Sequence, residues 1–330
     1  MLRRTVLRLP LVVVLLGAAP LVAPSPMRAE PGLQQHTTGE VRLAAGTDGN
    51  LTHTVRHADR HWDRFTTLRT VNAPSHLVST TVDGEEHLLH DDWSGRLSAP
   101  FVRHRIHRAD GTWDSSNPGF GGSTADLAVA AVAGELHVVR RSTAKDATVE
   151  HRVRHADGTW SILPAAPVSP GPDGSVAVAG LGRELHLLIT NQVGNSLLSF
   201  VRYPDGVWSP ATTVPFTVRT IQASTVDIAV VRGELHAVVL GSDGNLYHSI
   251  RHRDGAWDRF DDVAPETGDP GTPDHVSVTA SRGALHLAIS TREGGLFHTI
   301  RHPDRTWQPF GDVRGETGQV STTEVAISGD

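Results

Sequence analysis

The 330-residue chain has no cysteine. That excludes a disulfide framework, a thiolate metal site and a cysteine nucleophile, so the fold must rest on burial and sheet hydrogen bonding. Lysine is almost missing: Lys145 is the only one among 30 basic residues, and the rest are arginine. Aromatic residues make up 5% of the chain, with tyrosine at positions 203 and 247 only, which restricts any chemistry that needs a phenol. There is no excess of positive charge, since the formal charge is −6. Neither nucleic acid nor an anionic membrane is therefore expected as a partner. Helical spacing of apolar residues is absent after residue 31, which argues against an α-helical fold.

The N-terminus reads as a targeting segment. A basic start, MLRRTVLR, leads into the apolar run LPLVVVLLGAAPLVA, which Pro10 and Pro20 interrupt and which is short for a membrane span. Small residues and prolines follow, so residues 1–31 are expected to be a signal peptide with a short linker, cleaved before about residue 32. The pair Arg3–Arg4 ahead of Thr5, Val6 and Leu7 resembles a twin-arginine export signal. Lipid anchoring would need a cysteine the chain lacks. A secreted bacterial protein with no membrane span is the expectation.

What the chain does have is a repeat. Six of its seven tryptophans end variants of one phrase: TVRHADRHW at Trp62, RIHRADGTW at Trp113, RVRHADGTW at Trp160, FVRYPDGVW at Trp208, SIRHRDGAW at Trp257 and TIRHPDRTW at Trp307. Successive ones lie 51, 47, 48, 49 and 50 residues apart. In the fifth unit TVDIAVV leads to GELHAVVL, the turn GSDGN, LYHSIRH, the turn RDG and AWDRFDDV. Short β-branched and aromatic segments separated by Asp-Gly turns are antiparallel strands joined by hairpins. Four strands in about 48 residues make one propeller blade. The Asp-Gly supplies the tight turn between third and fourth strands; Arg60 and Arg305 replace that glycine, so a different turn is expected there. The Trp is expected to begin the fourth strand and pack into the neighbouring blade.

Residues 32–330 hold about six such units. The first begins at GEVRLAAG (Gly39–Gly46) without its leading strand, and the last residues, STTEVAISGD, match the missing strand. Pairing Val325–Ser328 beside Val41–Ala44 would complete the first blade and leave no open edge. The expectation is an all-β, six-bladed β-propeller of four-stranded blades, closed by its C-terminal strand.

Polar residues recur inside these apolar strands. Nine residues before each Trp stand His53, His104, His151, Ser199, His248 and His298; six before it stand Arg56, His107, Arg154, Arg202, Arg251 and Arg301. The second strands carry His87, His137, His186, His236 and His286, with Arg42 in the first unit. Buried polar groups need partners, so the recurrence reads either as a structural hydrogen-bond ladder between blades or as a set of similar polar pockets between blades. The register is open: His236 faces either His248 or Arg251. On the pocket reading each site groups residues of one unit: His137, His151, Arg154 and Trp160; His236, His248, Arg251 and Trp257; His286, His298, Arg301 and Trp307. Imidazole and guanidinium would supply donors for hydroxyls and the indole would cover an apolar sugar face. Ser199 leaves the fourth unit without the recurring imidazole.

Metal ligation and catalysis find less support. EEHLLHDD (Glu85–Asp92) and HRIH (His104–His107) are dense in ligand types, but His87 and His90 are three apart in a strand and point to opposite faces. No metal and no cofactor is expected. A sialidase, the obvious enzyme on six blades, would show turns of the form Ser-x-Asp-x-Gly-x-x-Trp, whereas these read Asp-Gly-x-Trp; no Gly-x-Ser-x-Gly occurs. The chain is read as a non-enzyme. One long loop, HDDWSGRLSAP (His90–Pro100), holds Trp93, the seventh tryptophan, beside Asp91 and Asp92 and is a further candidate for a sugar contact.

The strand–turn–strand LYHSIRHRDGAWDRFDDV (Leu246–Val263) resembles the propeller lectins of the Photorhabdus fucose-lectin type and, more distantly, the tachylectin type, over all six units. Six blades also resemble the Aleuria-type fucose lectins. That resemblance implies sugar sites between blades that use an Arg on the second strand, a Glu on the third and nearby aromatics. Here the comparable positions carry His236 and His248, or His286 and His298. The expected function is carbohydrate binding at several weak inter-blade sites, with glycans or glycoconjugates as partners. A secreted protein-interaction scaffold is the alternative, and a sialidase-like hydrolase a more distant one.

Overall fold

The computed structural model describes residues 39–47, 49–69, 74–92, 101–143, 148–168, 174–191, 196–216, 222–318 and 320–329. The expected signal peptide at 1–31 and Trp93 lie outside the described residues. Six four-stranded antiparallel sheets form six blades, I to VI. Blade II runs Leu77–Val82, Glu85–Asp92, Phe101–His107 and Trp113–Ser116 from its innermost strand outward; blade III runs Thr124–Val132, Glu135–Ser142, Val149–Arg154 and Trp160–Leu163. Blade IV follows with Val176–Leu181, Glu184–Asn191, Ser196–Arg202 and Thr212–Pro215. Blade V has Ala223–Val231, Glu234–Gly241, Leu246–Arg251 and Asp261–Asp262, and blade VI has Pro273–Ser281, Ala284–Thr291, Leu296–Arg301 and Gly311–Asp312.

Blade I is built from both ends of the described chain. Its innermost strand, Glu324–Gly329, pairs antiparallel with Val41–Thr47, with Leu43 opposite Ile327 and Ala44 opposite Ala326; Asn50–Arg56 and Thr66–Arg69 complete it. The expected closure is present. Glu324–Gly329 also packs against the innermost strands of blades II and VI, so the six innermost strands form an unbroken ring around a cavity of about 390 Å³. Side chains clasp one inner strand to the next. The Asp126 carboxylate accepts the Val176 N–H, Asp227 the Val278 N–H, and the Ser277 hydroxyl the Ile327 N–H.

The apolar core is divided among the gaps between blades, which is why both faces of the middle strands are apolar. One cluster joins Leu188, Val214 and Phe216 of blade IV to Val226, Val239 and Phe260 of blade V. Another joins Leu43 and Ile327 of blade I to Ala288 and Leu296 of blade VI.

Two expectations need correction. Arg60 and Arg305 do not change the turn: their φ angles of 82° and 76° match the glycines at the same position in the other units, such as Gly111 at 81° and Gly158 at 86°. The Asp before each fixes the turn by accepting the N–H two residues on, as Asp59 does from His61 and Asp304 from Thr306. A side chain held in the left-handed region is strained by about 1 kcal/mol or more. Arg60→Gly and Arg305→Gly are therefore expected to raise stability by roughly 0.5–1 kcal/mol each, read as a shift of the denaturation midpoint. An unchanged or lowered midpoint would contradict the strain.

The Trp begins the outermost strand only in blades II and III. In the other four it makes a single bridge to the recurring Arg, as Trp257 does with Arg251, and the outermost strand starts later. In blades I, V and VI a third-strand hydroxyl intervenes. Thr54, Ser249 and Thr299 donate to the carbonyls of Asp63, Asp258 and Gln308, each the residue after the Trp. Blades II and III have Arg105 and Arg152 there, and their ladders run on unbroken. Two single-turn helices, Ala264–Thr267 and Arg314–Thr317, follow the outermost strands of blades V and VI; apolar spacing gave no sign of such short turns.

Candidate functional site: the gaps between blades

The hairpin register decides which polar residues meet. His236 lies opposite Ile250, and Val238 opposite His248, so the two histidines are diagonal neighbours on one face. His236 Nδ1 sits 3.0 Å from His248 Nε2. The same pair recurs as His87–His104 at 2.9 Å, His137–His151 at 3.0 Å and His286–His298 at 3.1 Å. All eight rings are buried. Burial first, and then a facing arginine or the partner ring, pushes His87, His137 and His236 down to about 4 and His104, His151 and His286 to about 3; His248 and His298 are also held well below the usual histidine value. At neutral pH both rings are uncharged, so one N–H donates to the other's lone pair. In blades II, III, V and VI these bonds join two strands of one blade; the expected ladder ran between blades.

Arg251 falls on the other face. It is three residues beyond His248, an odd step in a strand, and stands opposite Leu235. Where a unit carries them, the Arg and Trp therefore face the preceding blade and the His pair faces the following one. Trp307 packs edge-on against His248 at 5.5 Å and Trp62 against His298 at 5.4 Å; Trp160 meets His104 at 5.5 Å and Trp208 meets His151 at 5.9 Å. The arginines that depress His236 and His286 are Arg301 and Arg56, each from the next blade.

The one-unit groupings expected from sequence are accordingly redistributed. His137 and His151 face Arg202 and Trp208, not Arg154 and Trp160, which belong with His87 and His104. His236 and His248 face Arg301 and Trp307, and His286 and His298 face Arg56 and Trp62. Arg251 and Trp257 face blade IV, where His186 has no imidazole partner because Ser199 takes its place. Both His186 ring nitrogens lack an aligned hydrogen bond, although Glu184 lies 3.3 Å from Nε2.

The gap between blades VI and I opens into a pocket of about 100 Å³, lined by Arg56, Arg60, Trp62, His298, Gln308 and Glu316 among others. Burial and then Arg60 lower the Arg56 pKa, with Glu316 pulling the other way. Glu316 Oε2 accepts the Trp62 backbone N–H at 3.3 Å. The gap between blades V and VI repeats this charge pattern: burial and then Arg305 lower Arg301, with Glu266 opposing. Both glutamates sit on the single-turn helices. A guanidinium pair, a carboxylate and an indole within one cleft can donate to, and accept from, neighbouring hydroxyls while covering an apolar face.

Sequence reasoning missed Arg60, Gln308 and Glu316 as pocket residues, and Glu266 as the carboxylate of the V–VI gap. A signal was available: DVAPETG (262–268) and DVRGETG (312–318) share Glu-Thr-Gly at the same distance after the Trp.

The gap between blades I and II departs from the rest. Arg42 replaces the second-strand His, His107 replaces the Arg, and Glu86 stands where other second strands have Leu136, Leu185, Leu235 and Leu285. Glu86 is fully buried, 2.8 Å from His53 Nε2 and 3.7 Å from His107 Nδ1. Burial pushes its carboxyl up, but His53, His107 and Arg42 together hold it well below the usual carboxylate range.

No protein-family model and no curated protein sequence matches the chain. Solved structures do. A fucose-specific lectin from Aleuria aurantia superposes with a TM-score of 0.62 at 12% identity, covering 83% of this chain and 90% of that one. Another structure of the Aleuria aurantia lectin, described as a six-bladed β-propeller with a novel fucose recognition mode, gives 0.57 at 9% identity over 82% and 94%. The BP39L lectin from Burkholderia pseudomallei gives 0.57 at 14% identity over 80% and 78%. At such identities the likeness is one of fold: this chain is a six-bladed β-propeller of the architecture those lectins share.

Proposed function

We propose that the protein is a glycan-binding lectin whose saccharide sites are the gaps between blades, foremost those between VI and I and between V and VI. The observation that carries this reading is the VI–I pocket, where Arg56, Arg60 and Glu316 surround Trp62 beside His298. Its charge pattern returns one blade earlier with Arg301, Arg305 and Glu266. Reuse of one polar constellation in successive gaps suits a ligand with repeated hydroxyl patterns better than a protein partner, which would engage loops that differ from unit to unit. Binding without turnover follows. The Asp-Gly-Trp hairpin it shares with Photorhabdus-type and tachylectin-type lectins supports the same class. Single sites of this size bind weakly, and several sites on one glycosylated surface raise the apparent affinity through effective concentration. The reading extends to export directed by residues 1–31, which N-terminal sequencing of protein from culture supernatant tests; intact Met1 in the membrane fraction would contradict it.

A glycan array probed with the chain lacking residues 1–31 tests the function. Fucosylated glycans are natural first probes, since structural neighbours are described in complex with fucosides. Saturable binding to a defined saccharide family is expected. Binding to no glycan would overturn the reading, and release of product from any of them would move the protein to the hydrolases.

A further inference from the structure

The I–II gap breaks the repeat at three positions, and all three converge on one point. Leu at the second-strand position is the rule, because the site is apolar and buried; Glu86 there places a carboxylate at 0% exposure, a costly substitution unless something cationic holds it. His107, in place of Arg, turns a permanent cation into a ring that can offer a lone pair. His53 is left by Arg42 without the second-strand imidazole that its counterparts pair with. His53 Nε2, Glu86 Oε2 and His107 Nδ1 all lie within 4.8 Å of one another.

We propose that His53, Glu86 and His107 form a binding site for a zinc-class divalent ion that ties blade I to blade II. Two imidazoles and one carboxylate are a known zinc donor set, completed by water. Ligands at the usual 2.0–2.1 Å around a tetrahedral ion stand about 3.3 Å apart, between the 2.8 Å of His53–Glu86 and the 3.7 Å of His107–Glu86, so small side-chain movements suffice. The surroundings hold the ligands still. Trp113 stacks on His107 at 4.6 Å and 11° and meets His53 edge-on at 5.2 Å. Ser328 of the closing strand places its hydroxyl 3.4 Å from Glu86 Oε1. His107 is 18% exposed through its side chain, which gives the ion a way in. The ligands come from the third strand of blade I and the middle strands of blade II, so a bound ion would fasten the ring beside the blade that both chain ends complete. His87 and His90, on one strand, point to opposite faces; here the two dense segments contribute one ligand each, Glu86 and His107, and the neighbouring blade the third.

Chelator-stripped protein titrated with Co²⁺, followed by its visible absorption and by Zn²⁺ displacement, tests the site. One equivalent should bind tetrahedrally and raise the melting temperature. Glu86→Leu and His107→Arg restore the residues of the other blades, so both are expected to fold, and each should weaken binding by about 100-fold or more, beyond the loss typical of an outer-shell partner. His57, His61 and Asp63 form a second, more exposed cluster, so His61→Ala serves as the control and should bind as wild type does. Absence of saturable binding at micromolar Co²⁺ and Zn²⁺, undiminished binding in both repeat-restoring variants, or loss of binding in His61→Ala would each overturn the proposal.

Discussion

Stability should collapse as pH falls from about 6 to about 4.5. The cause is the set of buried, uncharged histidine pairs. His87, His104, His137, His151, His236 and His286 are pushed down to between about 3 and about 4, and His248 and His298 lie well below the usual value. In the unfolded chain they titrate near 6.5. Above that value neither state binds the protons. As pH falls below it, the unfolded chain takes them up and the folded one refuses them, so stability is lost towards the folded values. At pH 5 each of the six held between about 3 and about 4 costs roughly 2 kcal/mol, and together they reach the whole stability of an ordinary domain, roughly 5–15 kcal/mol. Asp227, raised by burial to about 7, and Glu324, also raised by burial, act in the opposite direction because the folded state gains their protons first. Two carboxyls do not offset eight imidazoles. Calorimetric scans across pH 4.5–8 measure the effect, and a melting temperature unchanged down to pH 4.5 would contradict the charge state assigned to the pairs.

Deletion of Thr323–Asp330 should be nearly as damaging. It removes Val325, Ala326 and Ile327, each 2% exposed or less, together with the ladder to Val41–Thr47. The lost apolar burial alone is worth roughly 5 kcal/mol. The cut also opens an unpaired edge in the ring. A fall in melting temperature of at least about 10 °C is expected, with recovery when a peptide spanning residues 320–330 is supplied in trans. A truncated chain that melts like the intact one would disprove closure by the terminal strand.

The two effects differ in how far the sequence announced them. Closure was legible because strand periodicity and the half-units at each end are local patterns: STTEVAISGD looks like a first strand, and GEVRLAAG like a second strand lacking one. The polar residues were equally legible as a list, since His248, Arg251 and Trp257 recur at fixed distances. Their grouping was not. Whether His236 meets its own Arg251 or the next blade's Arg301 depends on strand-face parity and on the packing of one sheet over another, and the period of the repeat is silent on both. The same limit hid the I–II gap. His53, Glu86 and His107 belong to separate strands of two blades, and only the ring brings them within reach. Arg60 shows a further conflict between levels. The turn favours glycine there, yet the chain keeps a strained arginine that lines the VI–I pocket, in keeping with strain being held where a site needs it.

In the proposed saccharide site an Arg and a Trp from one blade face a His pair of the blade before. Calorimetric titration with the saccharide selected on the array tests it most directly, on the wild type, on Arg56→Ala and on the double variant Arg56→Ala/Arg301→Ala, each first shown to melt cooperatively. Arg56 at the VI–I pocket and Arg301 in the V–VI gap are part-buried and stand outside the His–His hydrogen bonds, so folding should survive their loss. The number of bound saccharides should fall by one in the single variant and by two in the double, while the remaining sites keep their affinity. Unchanged stoichiometry and affinity in the double variant would contradict it.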